Sequence, residues 1–196
     1  TPTMGGSLVL FALVIPTILW AELSNLYVWA ALTVTVSFGV IGFIDDYLKL
    51  RHSSSKGFPG RYRLALEFVI CSVVLLALFR EAEGFDTNLY LPFLSAEKYS
   101  FALPLAVFIP FATIVITGTG NAVNLTDGLD GLAIGPVMVA AATFLILAYG
   151  AGTVLVLPEV VDGATIYHRF NVAEYLHLAY VPGVNELAIF AASIIG

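Results

Sequence analysis

Long apolar runs, broken only by a few polar junctions, leave this chain few ways to fold. Five run from about Ser7 to Ala21, Leu26 to Ile44, Leu64 to Phe79, Phe101 to Ile116 and Leu132 to Tyr149, and a sixth begins near Leu187. In hydrocarbon, each backbone N–H and C=O needs a partner within the protein, so spanning segments are helices or closed barrels. A barrel strand alternates with period two, whereas these runs are continuously apolar. Only 11% of the 196 residues are charged and 59% are hydrophobic, against roughly 25% charged in soluble domains. The expected fold is an all-α polytopic membrane protein with five transmembrane helices and the start of a sixth. A spanning helix takes ~20 mostly apolar residues, so the shorter runs need tilt or interfacial additions. The chain opens at Thr1 without a Met and ends at Gly196 inside the sixth run. It is expected to be an interior piece of a longer protein, 1–196 forming one partial transmembrane domain.

Lys and Arg set the expected orientation. Five of the eight, Lys49, Arg51, Lys56, Arg61 and Arg63, fall between the second and third runs, so that loop faces the cytoplasm. Counting crossings gives cytoplasmic segments 1–6, 45–63 and 118–131, and outer segments 22–25, 80–100 and 150–186. The outer segments carry Glu22, Glu81, Glu83, Asp86, Glu97, Glu159, Asp162 and Glu174. Residues 82–100 could form a hairpin or loop. Residues 172–177 read as a short interfacial helix, with Asn171 as its N-cap. The net charge of -6 argues against non-specific nucleic-acid binding. Cys71 stands alone, so no internal disulfide is available. His52, His168 and His177 read as interfacial residues, and no His/Cys metal cluster, nucleophile elbow or Walker loop is present.

Chemistry concentrates at two junctions on the expected cytoplasmic side. Asp45 and Asp46 close the second apolar run. If they end a helix they oppose its macrodipole, at ~0.3–1 kcal/mol each, and they repel one another. A divalent cation reverses that penalty, since Mg2+ takes carboxylate and phosphate oxygens; a solvated membrane edge is the competing reading. Neighbouring residues on a helix point in different directions, so the two aspartates should differ in role. Lys49, four residues after Asp45, shares its face and could pair with an aspartate or a phosphate. The second junction runs Gly120-Asn121-Ala122-Val123-Asn124-Leu125-Thr126-Asp127-Gly128-Leu129-Asp130-Gly131. In a helix, Asn121, Asn124, Asp127 and Asp130 recur every third residue on one face. A polar stripe at a membrane edge calls for a polar ligand, a metal or water. Thr1-Pro2-Thr3-Met4-Gly5-Gly6 gives a polar entry to the first run, with hydroxyls and N–H groups suited to a phosphate.

Those three stretches, with Phe43-Ile44-Asp45-Asp46-Tyr47-Leu48-Lys49 in the middle and Leu132-Ala133 completing the third, resemble the phospho-N-acetylmuramoyl-pentapeptide transferases. These form the bacterial branch of the polyprenyl-phosphate hexosamine-1-phosphate transferase superfamily. The resemblance runs the length of the chain with the motifs in order. It implies a ten-helix enzyme of the bacterial inner membrane with a cytoplasmic active site and periplasmic outer segments, here roughly helices three to seven and the start of the eighth. The implied reaction moves phospho-MurNAc-pentapeptide from its UDP carrier to undecaprenyl phosphate. It yields lipid I and UMP, the first membrane step of peptidoglycan synthesis, with Mg2+ as cofactor. Implied partners are UDP-MurNAc-pentapeptide, undecaprenyl phosphate, membrane lipid and a second copy in a homodimer, with no nucleic acid.

Carried onto this sequence, the resemblance makes Asp45, Asp46 and Asp127 the catalytic candidates. Thr3, Lys49, Asn121, Asn124, Asp127 and Asp130 are the substrate-binding candidates, Asp130 through the nucleotide. Asp45 and Asp46 are the metal candidates, the principal Mg2+ aspartate being expected beyond Gly196 in an FMGD-type motif ahead of a His-rich loop. The piece alone is therefore expected to be inactive. Both substrates are anionic, so charge neutralisation is the central problem. Direct displacement is favoured, with Asp45 near the lipid phosphate and Asp46 supporting. A polyprenyl-phosphate GlcNAc-1-phosphate transferase is the near alternative. A transporter or non-catalytic membrane scaffold is the alternative from another class.

Overall fold

The computed structural model describes residues 5–52, 58–82, 85–90, 98–126, 132–161 and 164–196. Its helices are α1 (Gly5–Trp20), α2 (Leu26–His52), α3 (Gly60–Glu81), α4 (Leu105–Thr126), α5 (Ile134–Gly152), the single-turn α6 (Val172–Tyr175) and α7 (Leu187–Ile195). Two antiparallel strand pairs are inserted between them. The first pairs β1 (Asn88–Tyr90) with β2 (Ser100–Ala102), and the second pairs β3 (Val154–Val161) with β4 (Ala164–Asn171).

Four helices, α2 to α5, are long and apolar enough to cross a membrane, and the shorter apolar α1 and α7 pack beside them. The chain is an all-α multi-pass membrane protein. Its 27-residue α2 is about 40 Å long at the α-helical rise, enough to cross the hydrocarbon and project beyond it. Large apolar side chains face outward, among them Phe11, Val73, Ile114, Val139, Phe144 and Ile146, while Thr17, Thr113, Thr117 and Glu67 are buried. Lipid is as apolar as leucine, so helix association here depends on close backbone approach and interhelical hydrogen bonds.

Both devices are visible. At Gly39 of α2 a Cβ would stand 2.9 Å from Leu10 Cδ2 of α1, and at Gly120 of α4 it would stand 3.4 Å from Phe38 of α2. Ser72 and Thr113 share a hydrogen bond at 3.3 Å between α3 and α4, and Thr17 meets Ser193 at 3.2 Å between α1 and α7. At one end of the bundle the α1–α2 turn is tied to the approach to α7. Asn25 Nδ2 donates to Gly183 O at 2.6 Å, and the Glu22 N–H donates to Glu186 Oε2 at 2.9 Å. Val181 N–H donates to Ala151 O at 3.0 Å, bringing the end of α5 to the same place. The end of α2, the start of α3 and the end of α4 therefore gather at the opposite end.

Several boundaries differ from the sequence reading. Helix α2 runs past Asp45 and Asp46 to His52, because Tyr47-Leu48-Lys49-Leu50-Arg51 is composed of residues compatible with a helix and contains no Gly or Pro. The macrodipole penalty expected for the acidic pair applies with less force, since it falls off within the last turn. The fourth run begins later than expected: Phe101 belongs to β2, and Pro104 leads into α4 at Leu105. Helix α4 extends through Thr126, so half of what read as a junction is helical.

The antiparallel pairing of β1 with β2 agrees with the hairpin alternative anticipated over 82–100, except that its second strand runs on to Ala102, inside the expected fourth run. Asn171 does cap α6, its side chain accepting from the Ala173 N–H at 3.0 Å. The β3–β4 pair was not anticipated. Its strands run from Val154 opposite Asn171 to Val161 opposite Ala164, and the β-branched residues Val154, Val156, Thr165 and Ile166 suit a pleated ribbon.

Two glycines separate tolerable from intolerable crowding. A Cβ on Gly152 would collide with the backbone N of Asn185, whereas one on Gly39 meets only the mobile end of Leu10. Gly152→Ala should therefore destabilise the full-length protein by ~1–3 kcal/mol. Gly39→Ala should cost less than half as much, because a leucine terminus can rotate away. Thermal unfolding of the two variants in detergent checks the order.

Candidate functional site

Helix α2 brings Asp45 and Asp46 to the same level but aims them differently. The Asp45 side chain is 12% exposed and that of Asp46 49%. Asp45 turns inward, where both oxygens are engaged. Lys49 Nζ donates to Oδ2 at 2.5 Å, and the Phe58 N–H donates to Oδ1 at 2.6 Å. The lysine is one helical turn on, the spacing at which side chains meet on a helix face. Phe58 lies just before α3, so Asp45 fastens the chain entering α3 to the end of α2. Lys49 also stands 4.0 Å from Asp46 Oδ1, leaving that carboxylate partly neutralised and open.

Asp46 lines a groove of about 480 Å³ between α1 and α2, whose walls include Gly6, Ser7, Leu10, Gly39 and Phe43. Gly6 at the end of the first motif and Asp46 of the second thus line one groove, although forty positions separate them. The groove is mainly apolar, with the carboxylate at one end. That shape accommodates an amphiphile with an apolar chain and a polar head.

Helix α4 carries the first half of the third motif. Asn121 is half-buried and Asn124, three residues on, is exposed. Asn121 Nδ2 donates to Glu67 Oε2 of α3 at 2.6 Å and to Thr117 O at 2.8 Å. Glu67 is 1% exposed, and its other oxygen accepts from Arg63 Nε at 2.9 Å. Glu67 was not singled out from the sequence, yet two signals mark it. It is an ionisable residue inside an apolar run, where such residues are rare and paired, and it follows an arginine by four positions. Thr3, Asp127 and Asp130 lie outside the described residues.

Among the described residues no three His, Cys, Asp or Glu side chains come together as a metal-binding group. The donor chemistry still suits a hard divalent cation at Asp46, whose oxygens are accessible and are the ligand type such ions take. Asp45 is less available, because a lysine and a backbone amide already occupy its oxygens.

Residues 28–195 match the model of glycosyl transferase family 4. The chain is 44% identical to the phospho-N-acetylmuramoyl-pentapeptide-transferase of Sorangium cellulosum (strain So ce56), over all of this chain and 51% of the relative. Proteins of the same name from Anaeromyxobacter sp. (strain Fw109-5) and Bartonella quintana (strain Toulouse) are 44% and 45% identical, again over the whole chain, with 52% and 49% of each relative covered. The chain spans about half the length of these relatives.

The unequal surroundings of the two aspartates lead to unequal costs. Asp45→Ala strands Lys49 and the Phe58 N–H and should lower stability by ~1–3 kcal/mol. Asp46→Ala removes an exposed carboxylate and should stay within ~0.5 kcal/mol of the parent. Urea or thermal unfolding of the full-length variants measures both, and equal losses would contradict the division of labour.

Proposed function

The chain belongs to glycosyl transferase family 4, and from that premise we propose that the full-length protein transfers phospho-MurNAc-pentapeptide from UDP-MurNAc-pentapeptide to undecaprenyl phosphate. The reaction takes place at the cytoplasmic face of a bacterial inner membrane. The observation that carries this reading is the open Asp46 carboxylate at the end of an apolar groove that it shares with Gly6 and Ser7. The names of the relatives supply the substrate class.

In the proposed step an oxygen of the lipid phosphate attacks the β-phosphorus of the nucleotide sugar. The bond from that phosphorus to the bridging oxygen breaks, and UMP departs with the electron pair, leaving a lipid-linked diphosphate. The apolar groove holds the prenyl chain while its phosphate stays at the polar end. Asp46, with Asp45 behind it, would hold Mg2+. When bound, the ion offsets the charge of the diphosphate and of the departing UMP. Lys49 balances Asp45 and lowers the repulsion that two adjacent carboxylates would present to an anionic substrate. This reverses the emphasis expected from sequence, since Asp46 faces the reactants and Asp45 acts behind it. Asn121 and Asn124 approach the nucleotide-sugar end from α4.

Full-length protein, undecaprenyl phosphate and UDP-MurNAc-pentapeptide should give UMP and a lipid-linked product, and a chelator should stop the reaction. Asp46→Asn keeps the side chain's shape but removes its charge, and should lower kcat at least ~100-fold, about 2.7 kcal/mol of barrier. Turnover with UDP-GlcNAc in preference would direct the assignment to GlcNAc-1-phosphate transfer. Substrate movement across vesicles without UMP release would make the protein a transporter.

A further inference from the structure

We propose that Glu67 is a positioning residue that fixes the polarity of Asn121, so that Asn121 offers its ligand only a hydrogen-bond acceptor. The inference rests on the functional reading above and adds a specificity rule to it.

A primary carboxamide has two N–H donors and one carbonyl acceptor. Both donors of Asn121 are occupied, one by Glu67 Oε2 at 2.6 Å and the other by Thr117 O at 2.8 Å. Each of these partners is an acceptor: one is a carboxylate paired with Arg63 and the other a helix carbonyl. Turning the amide over would point its oxygen at two other oxygens, so the NH2 group is held inward. Among the described residues nothing donates to Oδ1, and the side chain is only half-buried. The group it presents outward is therefore a carbonyl oxygen.

A carbonyl oxygen accepts from a hydroxyl or an N–H and repels a phosphate oxygen. The nucleotide-sugar part that meets Asn121 is thus a donor, a sugar hydroxyl or an amide or base N–H, and not the diphosphate. Glu67 does not itself reach the ligand. It is 1% exposed, and Asn121 and Arg63 account for one oxygen each.

The test compares KM for UDP-MurNAc-pentapeptide, kcat and melting temperature in the full-length protein for wild type, Glu67→Gln, Asn121→Asp and the double variant. Glu67→Gln lets the amide of residue 121 turn over, and should raise KM about tenfold with kcat within about threefold, tenfold being 1.4 kcal/mol. Asn121→Asp sets two carboxylates face to face and should raise KM further. The double variant restores a donor–acceptor pair between the two positions: the new carboxamide at position 67 donates to the new carboxylate at position 121, whose inward oxygen still faces the Thr117 carbonyl and whose other oxygen faces outward as an acceptor. KM should then fall well below that of the Asn121→Asp single variant, the part of the defect that Glu67 controls being restored.

A double variant whose KM defect is the product of the two single defects overturns the inference. So does a Glu67→Gln protein that loses melting temperature and kcat with KM unchanged, since that is the mark of a purely structural residue. If Asn121→Asp does not fold, the KM-against-kcat split of Glu67→Gln decides alone. A wild-type protein that releases no UMP overturns the functional reading and this inference with it. An active wild type without the rescue overturns only the inference.

Discussion

A carboxylate seven residues into a membrane-crossing helix has to be satisfied by protein, and much of this structure is arranged around that demand. Glu67 lies about 10 Å along α3 from its first residue, within an otherwise apolar span. Arg63, one turn nearer the membrane edge, supplies the charge, and its long side chain can keep its head toward water. Asn121 supplies the second donor from α4. Removing one member of such a buried pair typically costs ~3–5 kcal/mol, because the remaining charge is left without compensation. The Glu67–Asn121 bond thereby fixes how α3 and α4 pack and sets the height at which the polar stripe of α4 begins.

The same logic operates at weaker points. Interhelical hydrogen bonds in membrane proteins contribute on average ~0.6 kcal/mol each, so the Ser72–Thr113 and Thr17–Ser193 contacts select a register more than they hold the bundle. Gly39 allows α1 to approach α2 closely, and Gly120 of α4 leaves room for the Phe38 ring of α2. That closeness shapes the groove: Leu10 of α1 packs directly over Gly39 of α2, and both residues line its wall. At the other end of the bundle the Asn25, Glu22 and Glu186 contacts tie the helices together. The Asp46 end keeps its open carboxylate because Lys49 and the Phe58 N–H have taken up its neighbour.

The parts legible in the sequence were those governed by local rules. Apolar length marked the helices, the spacing of Asp45 and Lys49 anticipated their pairing, and Asn171 was recognisable as a cap. Adjacent residues on a helix diverge, and Asp45 and Asp46 do face different surroundings. What was missed depended on competition between local and distant partners. Asp45-Asp46 resembled a helix end because charge terminates an apolar run, yet helix propensity beyond Asp46 carries α2 on for six more residues. The β3–β4 ribbon was hidden because its first strand, Val154–Val161, is nearly continuous in apolar residues and lacks clear alternation. Glu67 was passed over because hydropathy averages across a window, and one charge among many apolar neighbours leaves the average high.

The first motif's Gly6 and the second motif's Asp46 share one groove, while Glu67 ties the third motif's Asn121 to α3, the helix whose entry Asp45 fastens. Asp45 is therefore a structural junction: it secures the turn that delivers α3, and α3 in turn holds the asparagine of α4. A substitution at Asp45 would reach the third motif through that chain of contacts, whereas one at Asp46 acts on the groove directly. Loss of function after mutation of either aspartate is therefore ambiguous when only turnover is measured. For the inward aspartate, stability and turnover should fall together; for the outward one, they should separate. That contrast would distinguish a residue that builds the site from one that the proposed reaction uses directly.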